Sequence, residues 1–392
     1  MKMRTLPDLM SLRELIAHGA EIADFCAENA SATDLSGAFP QKEFAKLAER
    51  GLIVAPLRSG LGGLGLGFES RTIGHLLRLL QTLGKGNLSV GRIYEGHVNA
   101  LQLIQTFGRS EQLERLALDA KEQKIFGVWN AEAADGLKFI PTGKRKYELT
   151  GSKTFCSGAG SVQRPLVGGS LPDGQLQLCV VPMDQVKTRI DPTWWTATGM
   201  RGSVSAKVDF SGVVLDKDWL IGDPEDYHRE PWLTLGTIRF SAVQLGGAEA
   251  LVEATRGYLQ KLGRTTDPYQ IARMGHLVLA IETGRLWLES AARKARAFAP
   301  IFGDHPLAKR SGALEITIYA NLVRTTVEQL AMDVIKDTER CIGSRGLLPP
   351  EPAERIIRDL QLYLRQPCFD AALAKAGAFA LSNRHSPTTG NL

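Results

Sequence analysis

A block of β-type sequence set between two helical ones is what most limits the folds open to this chain. From Ile125 to Gly222, short runs such as Tyr147–Thr150, Gln177–Val181 and Ala206–Phe210 are separated by Gly, Pro, Asp and Ser turns, an all-β texture. After Trp232 the helical period returns in four long stretches, Arg239–Leu262, Tyr269–Phe298, Leu307–Cys341 and Glu351–Leu364. Pro268, Pro300 and the pair Pro349 and Pro350 break them. The first third is helical too. Leu12, Leu15, Ile16, Ala23 and Cys26 share one face with Gly19, and a second helix is expected over Lys42–Arg50 with Gly51 closing it. Helical periodicity resumes over 70–120, including Ile93–Phe107 and a helix capped by Ser110. Helices, strands, then helices is not a βαβ alternation. It predicts an α+β protein with an N-terminal helical domain (1–123), a central small β-domain (124–225) and a C-terminal four-helix bundle (226–392).

Length and charge exclude more than they identify. The chain has 392 residues, enough for two or three domains, and no run of ~20 apolar residues that would span a bilayer. Lys+Arg 47 against Asp+Glu 42 leaves a formal charge of +5 with no basic run, so no nucleic-acid partner is expected. The cysteines (Cys26, Cys156, Cys179, Cys341 and Cys368) are scattered, with no C-x-x-C pair; this argues against a disulfide framework or zinc site and suits a reducing cytosol. No His/Asp/Glu spacing suggests any other metal. The first residues lack the apolar core of a signal peptide, so a cytoplasmic location is expected, and the tail after Asn383 is expected to fray. The glycine cluster Ser59–Gly67 is followed by no Lys-Ser/Thr and reads as a tight loop rather than a phosphate cradle.

Five local motifs in order carry a resemblance. Phe39-Pro40, Leu47-Ala48 and Gly51-Leu52 precede Gly62-Gly63-Leu64-Gly65; Phe107-Gly108-x-x-Glu111-Gln112 follows. Then come Thr150-Gly-Ser-Lys-Thr-Phe-Cys-Ser157, Gly199-Met-Arg-Gly-Ser203 with Phe210-x-x-Val213-x-Leu215, and Arg355-x-x-Arg358-Asp359. From about Phe39 to Asp359 the chain resembles the acyl-CoA dehydrogenase superfamily of flavoproteins. The resemblance implies that family's fold and a bound FAD. Phe155 falls where the family sets an aromatic residue against the flavin, and Ser157 where a hydroxyl reaches N5 or O4; such a ring needs a face to stack on and donors at its edges. Ala131 replaces the hydroxyl that usually meets the flavin, with Asn130 or Trp129 in reach of a polar contact. Cys156 lies inside the same motif and is carried with the cofactor-binding candidates, although, alternating to the other face of the strand, it reads more as a small packed hydrophobe.

Two further places match the family's dinucleotide contacts. Arg264 and Thr266 occupy the turn whose arginine meets the pyrophosphate of a neighbouring subunit's FAD, although Asp267 replaces an aromatic there. Gly343 and Gly346 occupy the glycine segment beside the adenosine half, where Ser344 and Arg340 depart. Cross-subunit binding implies a homodimer or homotetramer.

The departures lie in the reaction machinery. The family's base is a glutamate downstream of the Arg-Asp pair; a gap-free count from Gly343 puts Pro367 there, and proline has no ionisable side chain. The alternative base position, before Arg239, holds Ile238, and a serine that assists the substrate has become Leu137. Asp370, three residues past Pro367, and His97 are the candidate catalytic groups, each with a plain structural alternative, as a cap or an interhelical histidine. The leading expectation is an FAD-dependent oxidoreductase that dehydrogenates an acyl-CoA, carrier-protein thioester or related small molecule, passing electrons to a further acceptor. The alternatives are a monooxygenase on the same fold, fed by a flavin reductase, and a non-catalytic member; Gly96-His97 is similar to the Gly-x-His of such monooxygenases, whose histidine governs protonation near the flavin, although here glycine directly precedes the histidine.

Overall fold

Ser11 opens the first helix, α1 (Leu12–Ser36), by a reciprocal cap: its hydroxyl accepts from the Glu14 amide (3.2 Å), and the Glu14 carboxylate accepts from the Ser11 amide (2.7 Å). The computed structural model describes residues 11–298 and 312–382, so Pro300, the expected helix start at Leu307 and the tail from Asn383 lie outside it. Four more helices follow among the described residues of the N-terminal region: α2 (Gln41–Glu49), α3 (Ile73–Gly86), α4 (Leu88–Phe107) and α5 (Ser110–Lys121). At α5 the cap is Arg109, one residue before the expected Ser110, because the Gln112 side chain accepts the Arg109 amide (2.8 Å). The glycine cluster is a tight loop. A Cβ at Gly63 would stand 2.0 Å from the Leu57 carbonyl oxygen.

Ten short strands follow. They are β1 (Phe126–Trp129), β2 (Lys138–Pro141), β3 (Lys146–Thr150), β4 (Ser152–Cys156), β5 (Arg164–Ser170), β6 (Leu176–Val180), β7 (Arg189–Asp191), β8 (Ala206–Asp209), β9 (Val213–Asp216) and β10 (Leu220–Ile221). One sheet runs β10-β6-β5-β2-β3-β9 with β1 parallel to β5, and a second runs β4-β8-β7. Trp129, Phe139, Leu149, Val208 and Phe210 are buried in the same core. Arg164, buried at the start of β5, ties the sheet to the helices: Asp119 of α5 accepts from its Nε and Nη2 (2.7 and 3.0 Å), and Asp184 from its Nη1 and Nη2 (2.6 and 3.2 Å). Both pairs are bidentate, the geometry in which a guanidinium binds carboxylate best.

Among the described residues the C-terminal region has three long helices, α6 (Trp232–Lys261), α7 (Pro268–Phe298) and α8 (Ala313–Ile342), and two shorter ones, α9 (Ala353–Leu364) and α10 (Phe369–Ser382). Asp267, which breaks the family motif, caps α7: its carboxylate accepts from the amides of Tyr269 (2.9 Å) and Gln270 (3.1 Å), and Pro268 supplies the first turn. α6 is the hub and packs on α3, α7, α8 and α9. At its crossing with α3 the backbones nearly touch. A Cβ at Gly84 would lie 2.3 Å from the Val243 oxygen, and one at Gly246 would lie 2.0 Å from the Gln81 oxygen.

α4 is buried along nearly its whole length and is stitched to both neighbouring regions. His97 is fully buried within it; Nε2 lies 2.8 Å from the Ile53 carbonyl oxygen, and Nδ1 accepts the Phe126 amide at 3.1 Å. This fixes a neutral ring with its proton on Nε2, and burial pushes its pKa down to about 4. The catalytic expectation for His97 is therefore corrected, because both ring nitrogens are engaged by backbone. The residue clamps α4 between the loop at Ile53 and β1.

Two outcomes are expected. Gly84→Ala or Gly246→Ala should destabilise the protein by about 1–3 kcal/mol in urea unfolding, because helix backbones cannot retreat as a side chain would; a smaller loss would mean that the crossing is looser than described. His97 should make stability acid-sensitive. Between its ordinary value of 6.5 and about 4 the unfolded chain takes up a proton that the folded one refuses. Stability from this group is thus complete above pH 6.5 and falls by about 3 kcal/mol as pH approaches 4. Asp359, pushed up to about 6 by burial, acts in the opposite sense, gaining stability as pH falls through that value. The informative quantity is hence the difference between wild type and His97→Gln, and equal acid slopes would show that His97 titrates normally.

Candidate functional site

Strand alternation breaks in β4. Its pairing with β8 shifts register between Lys153 and Cys156, and Phe155 adopts a left-handed backbone, φ +52°. Such a conformation costs an aromatic residue on the order of 1–3 kcal/mol and persists where the surroundings impose it. The result is to turn the ring outward. Phe155 is 51% exposed while Cys156 is fully buried, and burial drives the Cys156 thiol pKa up. Cys156 packs inward as a small hydrophobe and does not line the exposed face, which corrects its place among the cofactor-binding residues.

Phe155 is held edge-on by Trp194 (centroids 4.9 Å, 84°) and Trp195 (6.0 Å, 76°). Trp195 Nε1 donates to the Met200 oxygen (3.3 Å), and Met200 N donates to the buried Asp359 carboxylate (2.5 Å). The intervening residues Ala197, Thr198 and Gly199 form one wall of a cleft of about 490 Å³, opposite Arg358, Gln361, Leu362 and Arg365. Arg358 is committed to Asp34 and Glu354, and Arg365 to Glu328 (2.6 Å).

Behind Phe155 lies a chain of hydroxyls. Ser157 Oγ is 2.9 Å from Ser205 Oγ, which is 2.8 Å from Ser203 Oγ. Trp129 is buried and its Nε1 donates to the Ser157 oxygen (3.0 Å), so it supports this turn from beneath. Asn130 is half-buried and its oxygen accepts from Lys153 Nζ (3.3 Å); exposed Ala131 accepts the Thr154 amide (2.9 Å). Lys153 is itself buried and paired to Glu132 (2.5 Å), burial lowering its pKa against that pairing. A face-exposed aromatic, adjacent hydroxyls and a neighbouring cleft meet the needs of a flat heteroaromatic ring carrying a polar tail.

Arg264 and Thr266 are exposed in the α6–α7 turn, and Gly343 (φ +59°) and Gly346 follow α8. A Lys261–Glu351 ion pair (2.5 Å) joins these two segments at one end of the bundle. The base positions remain without an acid. Pro367 is exposed and its oxygen accepts from Arg324 (2.7 Å), while Ile238 lines a small cavity of about 40 Å³ with Gln102 and Arg239. Asp370 is exposed in the first turn of α10, which removes it as the replacement base; the turn after Pro367 directs it to solvent. Leu137 is fully buried core.

The largest feature absent from the sequence expectations is a polar seam inside α4. Arg92, Glu95, Asn99 and Gln102 recur at i, i+3, i+7 and i+10, one face of an otherwise apolar helix. That spacing was the available signal. Buried Glu95 accepts from Arg92 Nη1 (2.7 Å) and Arg239 Nε (3.4 Å); Arg239 also donates to Gln102 (2.7 Å) and to Asn99. Burial lowers the Arg239 pKa, and Glu95 opposes that shift. Tyr363 of α9 and Tyr227 complete the cluster beside Arg92. Both Glu95 carboxylate oxygens are thus engaged by guanidinium groups.

Residues 14–119 match the family model described as acyl-CoA dehydrogenase, N-terminal domain. A dibenzothiophene monooxygenase from Mycolicibacterium goodii is 25% identical over 382 residues, 90% of each chain. A probable FMNH2-dependent monooxygenase, SfnC, from Pseudomonas putida is 23% identical over 391 residues, covering 95% of this chain and 96% of that protein. The solved structure of FMN-bound TdsC from a Paenibacillus species superposes with a TM-score of 0.83 at 20% identity, over 95% of this chain and 98% of that one. Among the described residues no helix is long and apolar enough to cross a membrane. The chain thus carries a match to an acyl-CoA dehydrogenase N-terminal domain within an acyl-CoA dehydrogenase-like fold.

Proposed function

We propose that this protein is a flavin-dependent monooxygenase that uses reduced FMN supplied by a separate reductase and oxygenates a small organic molecule. The observation that carries this reading is the pairing of a retained ring platform with empty base positions. Dehydrogenation of an acyl thioester needs a carboxylate to remove the α-proton, but Pro367 and Ile238 occupy the two places for it and Asp370 faces solvent. The names of the relatives support the same direction, since they are monooxygenases and the cofactor they name is FMN. The expectation of FAD accordingly gives way to FMN.

Bound in its reduced form, flavin supplies the electrons with which dioxygen delivers one oxygen atom to a substrate while the other leaves as water. The chain's own residues position and shield. Phe155, held by Trp194 and Trp195, offers the ring a rigid face, and the Ser157–Ser205–Ser203 hydroxyls offer hydrogen bonds at its edge. Asn130 and Ala131 border the same turn. Arg264 and Thr266, with Gly343 and Gly346, are proposed to meet the cofactor's polar end across a subunit boundary in a homodimer or homotetramer. A guanidinium suits a phosphate monoester as well as a diphosphate.

Phe155→Ala should weaken FMN binding roughly tenfold in a flavin-fluorescence titration, a loss of about 1.4 kcal/mol, in keeping with removal of an aromatic contact. Wild-type protein should prefer FMN to FAD; the reverse preference would return the cofactor to FAD. Supplied with reduced FMN, isotopically labelled dioxygen and a panel of small aromatic and organosulfur compounds, the protein should release a singly labelled product. Anaerobic bleaching of its bound oxidised flavin by acyl-CoA esters, with no labelled product, would establish a dehydrogenase instead.

A further inference from the structure

One peptide group, that of Met200, serves both halves of the ring platform. Its oxygen accepts from the indole of Trp195 (3.3 Å), which meets Phe155 edge-on, and from the amide of Ser203 (3.0 Å), which belongs to the hydroxyl chain. The Ser203 oxygen in turn accepts the Gly158 amide (2.8 Å), next to Ser157. The turn that makes these bonds is strained. Met200 (φ +54°) and the β-branched Val204 (φ +44°) are both left-handed, and such backbone persists only where its surroundings impose it.

The surroundings here are α9. The Asp359 carboxylate accepts the Met200 amide at 2.5 Å, and Arg358 donates to the Thr198 oxygen. Gly199 lies flat against the helix between them: a Cβ there would stand 2.2 Å from the Arg358 carbonyl oxygen. Asp359 is buried, with Arg355 of the same helix 3.8 Å away; Asp34 of α1 and Arg358 also act on it. A buried carboxylate is a costly way to hold one amide, since a neutral carbonyl would satisfy the same donor. What the charge adds is strength, because an ionised acceptor makes a hydrogen bond about twice as strong as a neutral one. That suits a bond whose task is to keep a strained turn from relaxing.

We propose that Asp359 is a positioning residue of the flavin site: by fixing the Met200 peptide group it holds the Phe155 ring and the Ser203–Ser205–Ser157 hydroxyls in register with one another. The inference rests on the flavin-monooxygenase reading only in taking Phe155 as the platform for the ring. It extends that reading by tying cofactor affinity to a residue of the C-terminal helices that acts through the turn. Thr198 and Gly199 of the same turn also line the neighbouring cleft, so the anchor sets where that wall stands beside the platform.

Near-ultraviolet circular dichroism and FMN titration of the whole chain test the proposal. Trp194 and Trp195 are stacked (centroids 6.4 Å, 21°), so freeing Trp195 should change the tryptophan signal of the flavin-free protein. Asp359→Ala should change that signal and weaken FMN binding roughly tenfold; Asp359→Asn, which keeps an acceptor oxygen, should restore the signal and lose no more than about threefold. Trp195→Phe, which keeps the carboxylate and removes the indole donor, should also cost roughly tenfold in FMN affinity. The double variant Asp359→Ala with Trp195→Phe should bind little worse than Asp359→Ala alone, because both cut one linkage. Additive losses in that cycle, or an unaltered tryptophan signal in a folded Asp359→Ala, would overturn the proposal. Should Asp359→Ala fail to fold, Trp195→Phe decides: a folded variant with unchanged FMN affinity overturns it equally. Wild type that binds no FMN, with the tryptophan response to Asp359→Ala intact, would sink the flavin reading and leave the linkage standing. FMN bound equally by every variant would sink this proposal alone.

Discussion

The burial of α4 on nearly all sides is the constraint from which the centre of this molecule follows. A helix in that position must satisfy every polar group it carries, because an unpaired charge or donor in the interior costs several kcal/mol by transfer arguments, on the order of 2–7 kcal/mol for a neutral group. α4 meets the requirement in two ways. His97 is satisfied by main chain on both ring nitrogens, and Tyr94 donates to the Leu52 oxygen (2.9 Å). The Arg92–Glu95–Asn99–Gln102 seam is satisfied by a second helix, through Arg239 of α6. The first set fastens the N-terminal helices to β1. The second joins α4 to α6 through buried charge.

The β-domain faces that space with a strained strand. A regular β4 would alternate Phe155 and Cys156 without a kink; the register shift and the left-handed residue instead present the Phe155 ring while keeping Cys156 in the core. Strain of this kind concentrates where a ligand must be met, since packing alone gives no reason to hold an aromatic ring half in solvent. Trp194 and Trp195 brace it, and the serine hydroxyls beneath it are linked to one another.

Periodicity located most of the helices. The bundle helices expected from Arg239, Tyr269 and Glu351 begin at Trp232, Pro268 and Ala353, differences set by caps and turns rather than by hydrophobic pattern. α10 escaped because Pro367 sits just before it, and a proline interrupts a pattern even when a new helix starts two residues later. Phe155 and Ser157 were legible through a family motif. His97 was legible as an unusual residue but not in its role, because a motif does not say which backbone groups will surround an imidazole. The seam in α4 was written in the sequence as a heptad-like spacing of polar residues, yet that spacing alone also describes a solvent-facing stripe.

What the sequence by itself determined is the order of helices and strands, the resemblance that points to the fold, and the absence of an ionisable group at Pro367 and Ile238, since these depend on local pattern and residue identity. What only the tertiary structure decided is which groups are available for chemistry. Asp370 and His97 are both titratable side chains near recognisable motifs, but one lies in solvent and the other is locked by backbone on both sides. Arg92 and Tyr363 stand more than 250 residues apart and become neighbours because α9 folds back against α4. Burial and long-range pairing set the charge state and the free valences of a side chain, and neither is carried by its position in the sequence.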